Sequence, residues 1–231
     1  MTASEFSKTA AALYASTTGF RRQMAVYRPY ICPFERVAEC VDPGSRVLDV
    51  GCGQGMLLAL LGVSGRCSEG VGFDSDADAI AVAREMATHY EAQGHPGALR
   101  FEHLPVSAAW PEGRFDVVTI VDVMHHVPRD QRPSVLQLAF EALRPGGRLI
   151  YKDIGHRPRW RALANNCHDL LVAREWVRYT PITQVRLWAG ELGFASSDPQ
   201  RINRLWYAHD LAVFTKPGPD AVRGPLMARS A

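Results

Sequence analysis

Asp49 stands two residues ahead of three alternating glycines in Val47-Leu48-Asp49-Val50-Gly51-Cys52-Gly53-Gln54-Gly55, and Asp74 follows nineteen residues after the last of them. A carboxylate so placed suits a cation or a pair of hydroxyls better than a phosphate. The glycines permit positive φ and let a ligand lie directly against main-chain N–H groups. The helix formers Met56–Leu61 would turn the positive end of a helix toward the same spot. Farther along, Asp122, Val123, Met124, His125 and His126 follow one apolar run, while Asp153 and His156 follow another. Histidine can accept or release a proton near neutral pH, so these are candidate general bases.

Such residues need a scaffold that brings them to one edge. Arg46-Val47-Leu48, after the turn Asp42-Pro43-Gly44, reads as a buried strand. Gly70–Asp74 reads as a second strand with Asp74 at its carboxyl end, where a doubly wound sheet sets an acid against ribose hydroxyls. Ser75-Asp76-Ala77-Asp78 opens a helix through about Tyr90, its acids complementing the helix dipole, so Asp76 and Asp78 read as helix-start residues. A third strand falls at Ala98–His103, and the nearly continuous apolar run Phe115–Asp122 reads as a central parallel strand. A helix over Asp130–Leu143, the turn Arg144–Gly147 and a fifth strand, Arg148–Ile154, follow. Another helix is expected at Thr183–Leu192, and Arg201–Tyr207 with His209–Thr215 form a closing antiparallel hairpin. The predicted class is therefore α/β: a Rossmann-like, doubly wound, mainly parallel seven-stranded sheet with a C-terminal antiparallel hairpin and a helical insertion after strand five.

Ahead of the sheet, Phe34, Val37, Ala38 and Val41 fall at i, i+3, i+4 and i+7 and predict an amphipathic helix. Residues 1–23 are small and polar and read as a loose helix or a flexible arm, 24–216 as one domain, 154–195 as a helical region capping the substrate, and 217–231 as a flexible tail.

The dinucleotide fingerprint requires a third glycine at the sixth position, which here is Met56. Instead, V-L-D-V-G-C-G-Q-G resembles the first motif of class I S-adenosylmethionine methyltransferases, and F-D-V-V…L-R-P-G-G-R-L-I resembles their later core. The likeness extends over about Val37–Lys216, is strongest in the first half, and is similar to the ubiquinone- and menaquinone-pathway enzymes. It implies S-adenosyl-L-methionine as methyl donor and S-adenosyl-L-homocysteine as product. Asp49, Gly51, Cys52, Gly53 and Gly55 would surround the amino-acid end of the donor. Asp74 and Ser75 would meet the ribose, and Asp122 would line the pocket. Relatives carry an acid near Pro105-Val106-Ser107 for the adenine amino group; this chain has none, and main-chain groups near Val106 or the Ser107 hydroxyl are the candidate replacements.

For the chemistry, His126 or His156 is the candidate base and Asp153 its orienting partner. Asp122-x-x-His125-His126 is similar to an acid-x-x-acid-His segment that some quinone-pathway O-methyltransferases use for a divalent metal. The same spacing also lines ordinary cofactor pockets, and no metal is assigned. His125, Arg157, Trp160, Trp176 and Tyr207 are candidate acceptor contacts: the aromatic side chains suit a flat apolar molecule, and Arg157 could meet a carboxylate or the phosphate of a carrier. In this family the region after strand five sets substrate choice, and here it resembles methyltransferases of bacterial pigment pathways such as those making aryl polyenes. Methylation of a small aromatic, quinone-like or polyketide-like acceptor is expected, at oxygen ahead of carbon. The alternative is a protein that binds S-adenosylmethionine without catalysis and serves as a partner module.

Composition excludes other classes. With 231 residues and 47% hydrophobic content the chain can bury a full core, and a net charge of +2 implies neither a nucleic-acid nor a membrane surface. A base-modifying enzyme would show Asp/Asn-Pro-Pro-aromatic where Asp122-Val123-Met124-His125 stands. Five cysteines, odd in number and without a C-x-x-C pair, point to a reducing, cytoplasmic setting. No apolar run approaches membrane-spanning length. The expected partners are a small or carrier-linked acceptor, with the chain a monomer or homodimer.

Overall fold

The computed structural model describes residues 2–155, 179–205 and 207–219. Its helices are α1 (Ala3–Leu13), α2 (Gly19–Ile31), α3 (Phe34–Glu39), α4 (Met56–Val63), α5 (Ala77–Ala92), α6 (Arg132–Ala142) and α7 (Ile182–Glu191). Its strands are β1 (Ser45–Val50), β2 (Cys67–Asp74), β3 (Ala98–His103), β4 (Phe115–Val121), β5 (Leu143–Ile154), β6 (Ala195–Ser196), β7 (Gln200–Arg204) and β8 (Tyr207–Thr215). They form one sheet in the order β3-β2-β1-β4-β5-β8-β6, with β7 also paired to β8. The first five run parallel and β8 is antiparallel to β5. The α/β, mainly parallel architecture with antiparallel closing strands is the one the sequence predicts.

Side chains alternate across each strand, so the central strands feed two cores. On one face Val47, Val117, Val121, Ile150 and Leu211 pack beneath α1 to α5. On the other, Leu48, Val118, Leu149 and Phe214 pack beneath α6 and α7. The hydrophobic α4 is buried along nearly its whole length, which explains why its sequence has so little amphipathic pattern.

The seven expected strands are joined, among the described residues, by the two-residue β6, which also pairs with β8. Two expectations need correction. The strand expected at Arg201–Tyr207 ends at Arg204, since Leu205 adopts a left-handed φ of 50° that breaks the extended backbone. Residues 1–23 are not a flexible arm: they hold α1 and the start of α2. Thr2 and Glu5 form a capping box, and Phe6, Ala10 and Leu13 make a buried stripe at i, i+4 and i+7. Two alanine- and threonine-rich turns concealed that stripe. Among the described residues no helix is long and apolar enough to cross a membrane.

Candidate active site

The chain leaves β1 at Val50 and turns through Gly51, Gly53 and Gly55, with φ values of 67°, 54° and 81°. Gly55 is the N-cap of α4. At Gly51 a Cβ would come within 2.5 Å of Val123, whereas at Gly53 it would meet nothing within 4 Å. The turn is thus forced at one glycine and left open to a ligand at the next. Its shape is fixed from outside. Tyr14 of α1 donates its hydroxyl to the Gln54 carbonyl at 2.7 Å, and Asp74 Oδ2 accepts the Gly53 N–H at 2.8 Å. The other Asp74 oxygen accepts the Asp76 N–H at 2.9 Å, so one carboxylate braces both the glycine turn and the start of α5.

Above the turn lies a cavity of about 470 Å³, of a size that suits small-molecule ligands. Asp49, Gly51, Gly53 and Gln54 form part of its floor and wall, and α2 roofs it with Phe20, Arg21, Met24 and Arg28. Asp49 is buried and accepts the Thr119 hydroxyl at 2.6 Å. Burial pushes its carboxyl up to about 7, an effect that the Thr119 hydrogen bond only partly offsets. Gln54 Oε1 is buried with no hydrogen-bond partner. A buried carboxylate held by one hydroxyl and an unpartnered amide oxygen therefore stand on one cavity, an arrangement an ammonium group would suit. α2 is tied at both ends: Arg21 pairs with Asp78 at 3.1 Å and Arg28 with Asp122 at 3.7 Å.

Beside the cavity, β4 and β5 end in two separate polar clusters. Asp122 takes a left-handed φ of 59°, and both its oxygens accept from Lys152 Nζ, at 2.6 and 2.7 Å. Burial pushes the Asp122 carboxyl up, but Lys152 and Arg28 outweigh it and hold it well below the usual carboxylate range. Next in sequence to Lys152, Asp153 faces the other side of the sheet. There it meets His125 Nδ1 at 2.5 Å, accepts the Ile154 N–H at 2.8 Å, and lies 3.3 Å from the Tyr151 hydroxyl. Buried Arg132 donates to the Val127 carbonyl and to Thr180 beneath them. Asp122 and His125 are thus drawn to opposite faces, and among the described residues no three His, Cys, Asp or Glu side chains converge as metal ligands.

Of the residues singled out from sequence, Asp49, Gly51, Cys52 and Gly53 line the cavity and Gly55 lies at the base of its turn. Asp74 and Ser75 sit behind that wall, while Asp76, the N-cap of α5, lines it. The Val106 carbonyl accepts from Trp110 Nε1 at 2.9 Å, away from the cavity lining. His126 is exposed, with its ring 4.1 Å from that of His125. Tyr207 is buried and stacked on His209, ring centres 5.9 Å apart. His156, Arg157, Trp160 and Trp176 lie outside the described residues.

Sequence reasoning missed the α2 roof, Gln54, Thr119 and Lys152. Pro29 inside α2 masked that helix, because proline ordinarily ends one. A signal for Lys152 did exist: a Lys-Asp pair inside the apolar run Leu149–Ile154 has to be buried and therefore paired.

Comparison with known proteins agrees with this geometry. A family model described as a methyltransferase domain matches residues 20–196, more than half of the chain. The ubiquinone biosynthesis O-methyltransferase of Alkalilimnicola ehrlichii is 29% identical over 163 residues, covering 67% of this chain and 63% of that protein. Its Psychrobacter arcticus counterpart is 32% identical over 127 residues, covering 54% and 47%. The chain thus spans roughly half to under two thirds of the length of these curated relatives. Among solved structures, magnesium protoporphyrin IX methyltransferase from Synechocystis PCC 6803 with bound S-adenosylhomocysteine has a TM-score of 0.64 at 17% identity, over 90% of this chain and 93% of that one. The pyocyanin biosynthetic protein PhzM reaches 0.68 at 17% identity, over 89% and 61%. With its glycine turn, buried acid and closing antiparallel strands, the chain belongs to the methyltransferase-domain family.

Proposed function

We propose that this chain transfers a methyl group from S-adenosyl-L-methionine to an oxygen of a small aromatic, quinone-like or polyketide-like acceptor. The observation that carries the reading is a buried carboxylate, Asp49, beside the unpartnered Gln54 Oε1 on a glycine-lined cavity next to a helix N-terminus. An α-amino group is the donor that satisfies both, and the positive charge lowers the cost of ionising a buried carboxylate. Gly53, bare of side chain, leaves room for the ligand against the main chain, and Asp76 lies where hydroxyls can reach it. When bound, the donor supplies an electrophilic methyl group on a sulfonium. The chain's own contribution is alignment and exclusion of water. α2 closes the cavity with Phe20 and Met24, and the Asp122–Lys152 and His125–Asp153 pairs give the β4 and β5 edge a fixed polar frame. The ubiquinone-pathway relatives support oxygen as the methylated atom and a quinone-like acceptor.

Calorimetric titration of the full chain with S-adenosylmethionine, S-adenosylhomocysteine and NAD tests the cofactor assignment. Binding of both adenosyl compounds and not of NAD is expected; the opposite pattern would overturn it. Incubation with methyl-labelled donor and a panel of catechols and hydroquinones tests the reaction. Label is expected as a methyl ether, and label on carbon, or on no acceptor at all, would overturn the assignment to oxygen.

A further inference from the structure

Phe20 is 62% exposed although it lines the cavity. A single aromatic ring left in water at a surface is ordinary and stabilises the fold little. One that stands on a ligand cavity offers its ring to whatever the cavity holds. Tyr27, on the same helix and equally exposed, is not among the lining residues, so the placement of Phe20 is particular to it.

Sheet order fixes which end of the cavity Phe20 covers. β1 lies between β2 and β4. Asp76 follows β2, Asp49 belongs to β1 and Asp122 follows β4, so the three acids stand in that order along the sheet edge. α2 crosses the same edge. Near its start Arg21 reaches Asp78 at 3.1 Å and Asp76 at 3.9 Å, and near its end Arg28 reaches Asp122 at 3.7 Å. Phe20, in the first turn of α2 and next to Arg21, therefore stands on the β2 side of the cavity. The loop after β3, on that same side, gives a ligand little to hold. Pro105-Val106-Ser107 carries no carboxylate and is not part of the lining, and the Val106 carbonyl already accepts from Trp110 Nε1 at 2.9 Å.

We propose that Phe20 is the platform on which the purine of the methyl donor stacks. The inference rests on the S-adenosylmethionine reading above and adds to it the residue that receives the base. With the ammonium at Asp49 and the hydroxyls at Asp76, the base is the part of the donor left over, and it falls on the side that Phe20 covers. A purine has a flat π-face, and stacking it on a phenyl ring withdraws both from water without calling for a hydrogen-bond partner. The base is thus held by its face, from the helical roof, in place of an edge contact from the loop after β3. Arg21 is a positioning residue in this arrangement, because it fastens the first turn of α2 over the start of α5.

Three variants separate stacking from simple cover. The full chain is titrated with S-adenosylhomocysteine by calorimetry, and each variant is also melted without ligand. Phe20→Ala is expected to bind about tenfold more weakly, the loss of one base–aromatic contact. It should melt within about 2 °C of the wild type, because most of the ring is in water. Phe20→Leu keeps an apolar cover without an aromatic face and should still bind about fivefold more weakly or worse. Phe20→Trp, a wider platform, should bind at least as tightly as the wild type. Wild-type affinity in Phe20→Ala would overturn the proposal, since the ring would then touch no ligand. Wild-type affinity in Phe20→Leu would overturn it as well, since any apolar side chain would then serve. Failure of the wild-type chain to bind S-adenosylhomocysteine would instead overturn the cofactor reading on which the proposal stands.

Discussion

Replacing Asp49 by asparagine should make the empty protein more stable and the cofactor site worse. Burial raises the Asp49 carboxyl from 3.8 to about 7. A raised acid binds more protons folded than unfolded, so its contribution to stability falls as pH rises from 3.8 to about 7 and the full cost is present above that. The separation corresponds to about 4 kcal/mol. Asparagine keeps an oxygen for the Thr119 hydroxyl and has no charge to bury. At pH 8 the ligand-free variant should therefore melt roughly 5–10 °C higher, using about 2–4 °C per kcal/mol for a chain of this size and allowing for imperfect accommodation of the amide.

Ligand binding should show the opposite sign. If the ammonium of S-adenosylhomocysteine requires the ionised carboxylate, affinity follows the ionised fraction of Asp49. For a group titrating near 7, that fraction rises roughly 25-fold between pH 5.5 and 7.5. Isothermal titration across that range should show the rise in the wild-type chain and a flat, weaker response in Asp49→Asn. Affinity independent of pH in the wild type, or a lower melting temperature for ligand-free Asp49→Asn at pH 8, would refute the assignment of Asp49 as the cation site.

Three further outcomes follow from neighbouring contacts. Lys152→Met strands the Asp122 carboxylate with only Arg28 at 3.7 Å, and urea unfolding should show a loss of about 3–5 kcal/mol. Adding Asp122→Asn, which tolerates the left-handed backbone there, should recover most of it. Tyr14→Phe removes the hydroxyl that holds the Gln54 carbonyl and should cost about 1–3 kcal/mol in the same assay, with a severalfold drop in S-adenosylhomocysteine affinity by calorimetry. Arg21→Ala breaks only solvent-screened pairs to Asp76 and Asp78, so stability should change by less than about 1 kcal/mol, while stopped-flow release of S-adenosylhomocysteine becomes faster as the roof loosens.

What could be read from sequence was what is local. The strand, glycine turn and helix start around Asp49 lie within a dozen residues, and turn chemistry alone identifies them. Asp74 follows at the spacing a doubly wound sheet imposes. The roof was not legible because it depends on distant pairings: Tyr14 reaches Gln54 across 40 residues, and Arg28 reaches Asp122 from the far end of a helix that contains proline. The candidate base and its orienting partner illustrate a different limit. Asp153 and Lys152 are neighbours in sequence, yet the pleat sends one to His125 and the other to Asp122, so proximity along the chain says nothing about which carboxylate shares a face with the cavity.

That divergence also separates ligand sites from structural ones among the buried acids of the sheet edge. Asp49 and Asp122 end adjacent parallel strands, and burial pushes the carboxyl of each upward. At Asp122 the chain answers with Lys152 and Arg28, and the group is left strongly ionised and fully engaged. At Asp49 it answers with the Thr119 hydroxyl and, more weakly, the charge of Arg28, and the carboxyl stays raised. A buried acid whose partner is withheld destabilises the empty fold, and that cost is removed only when a cation arrives from solution. On the proposed reading, the distribution of positive charge between these two acids makes Asp49 the place for a ligand and Asp122 part of the frame.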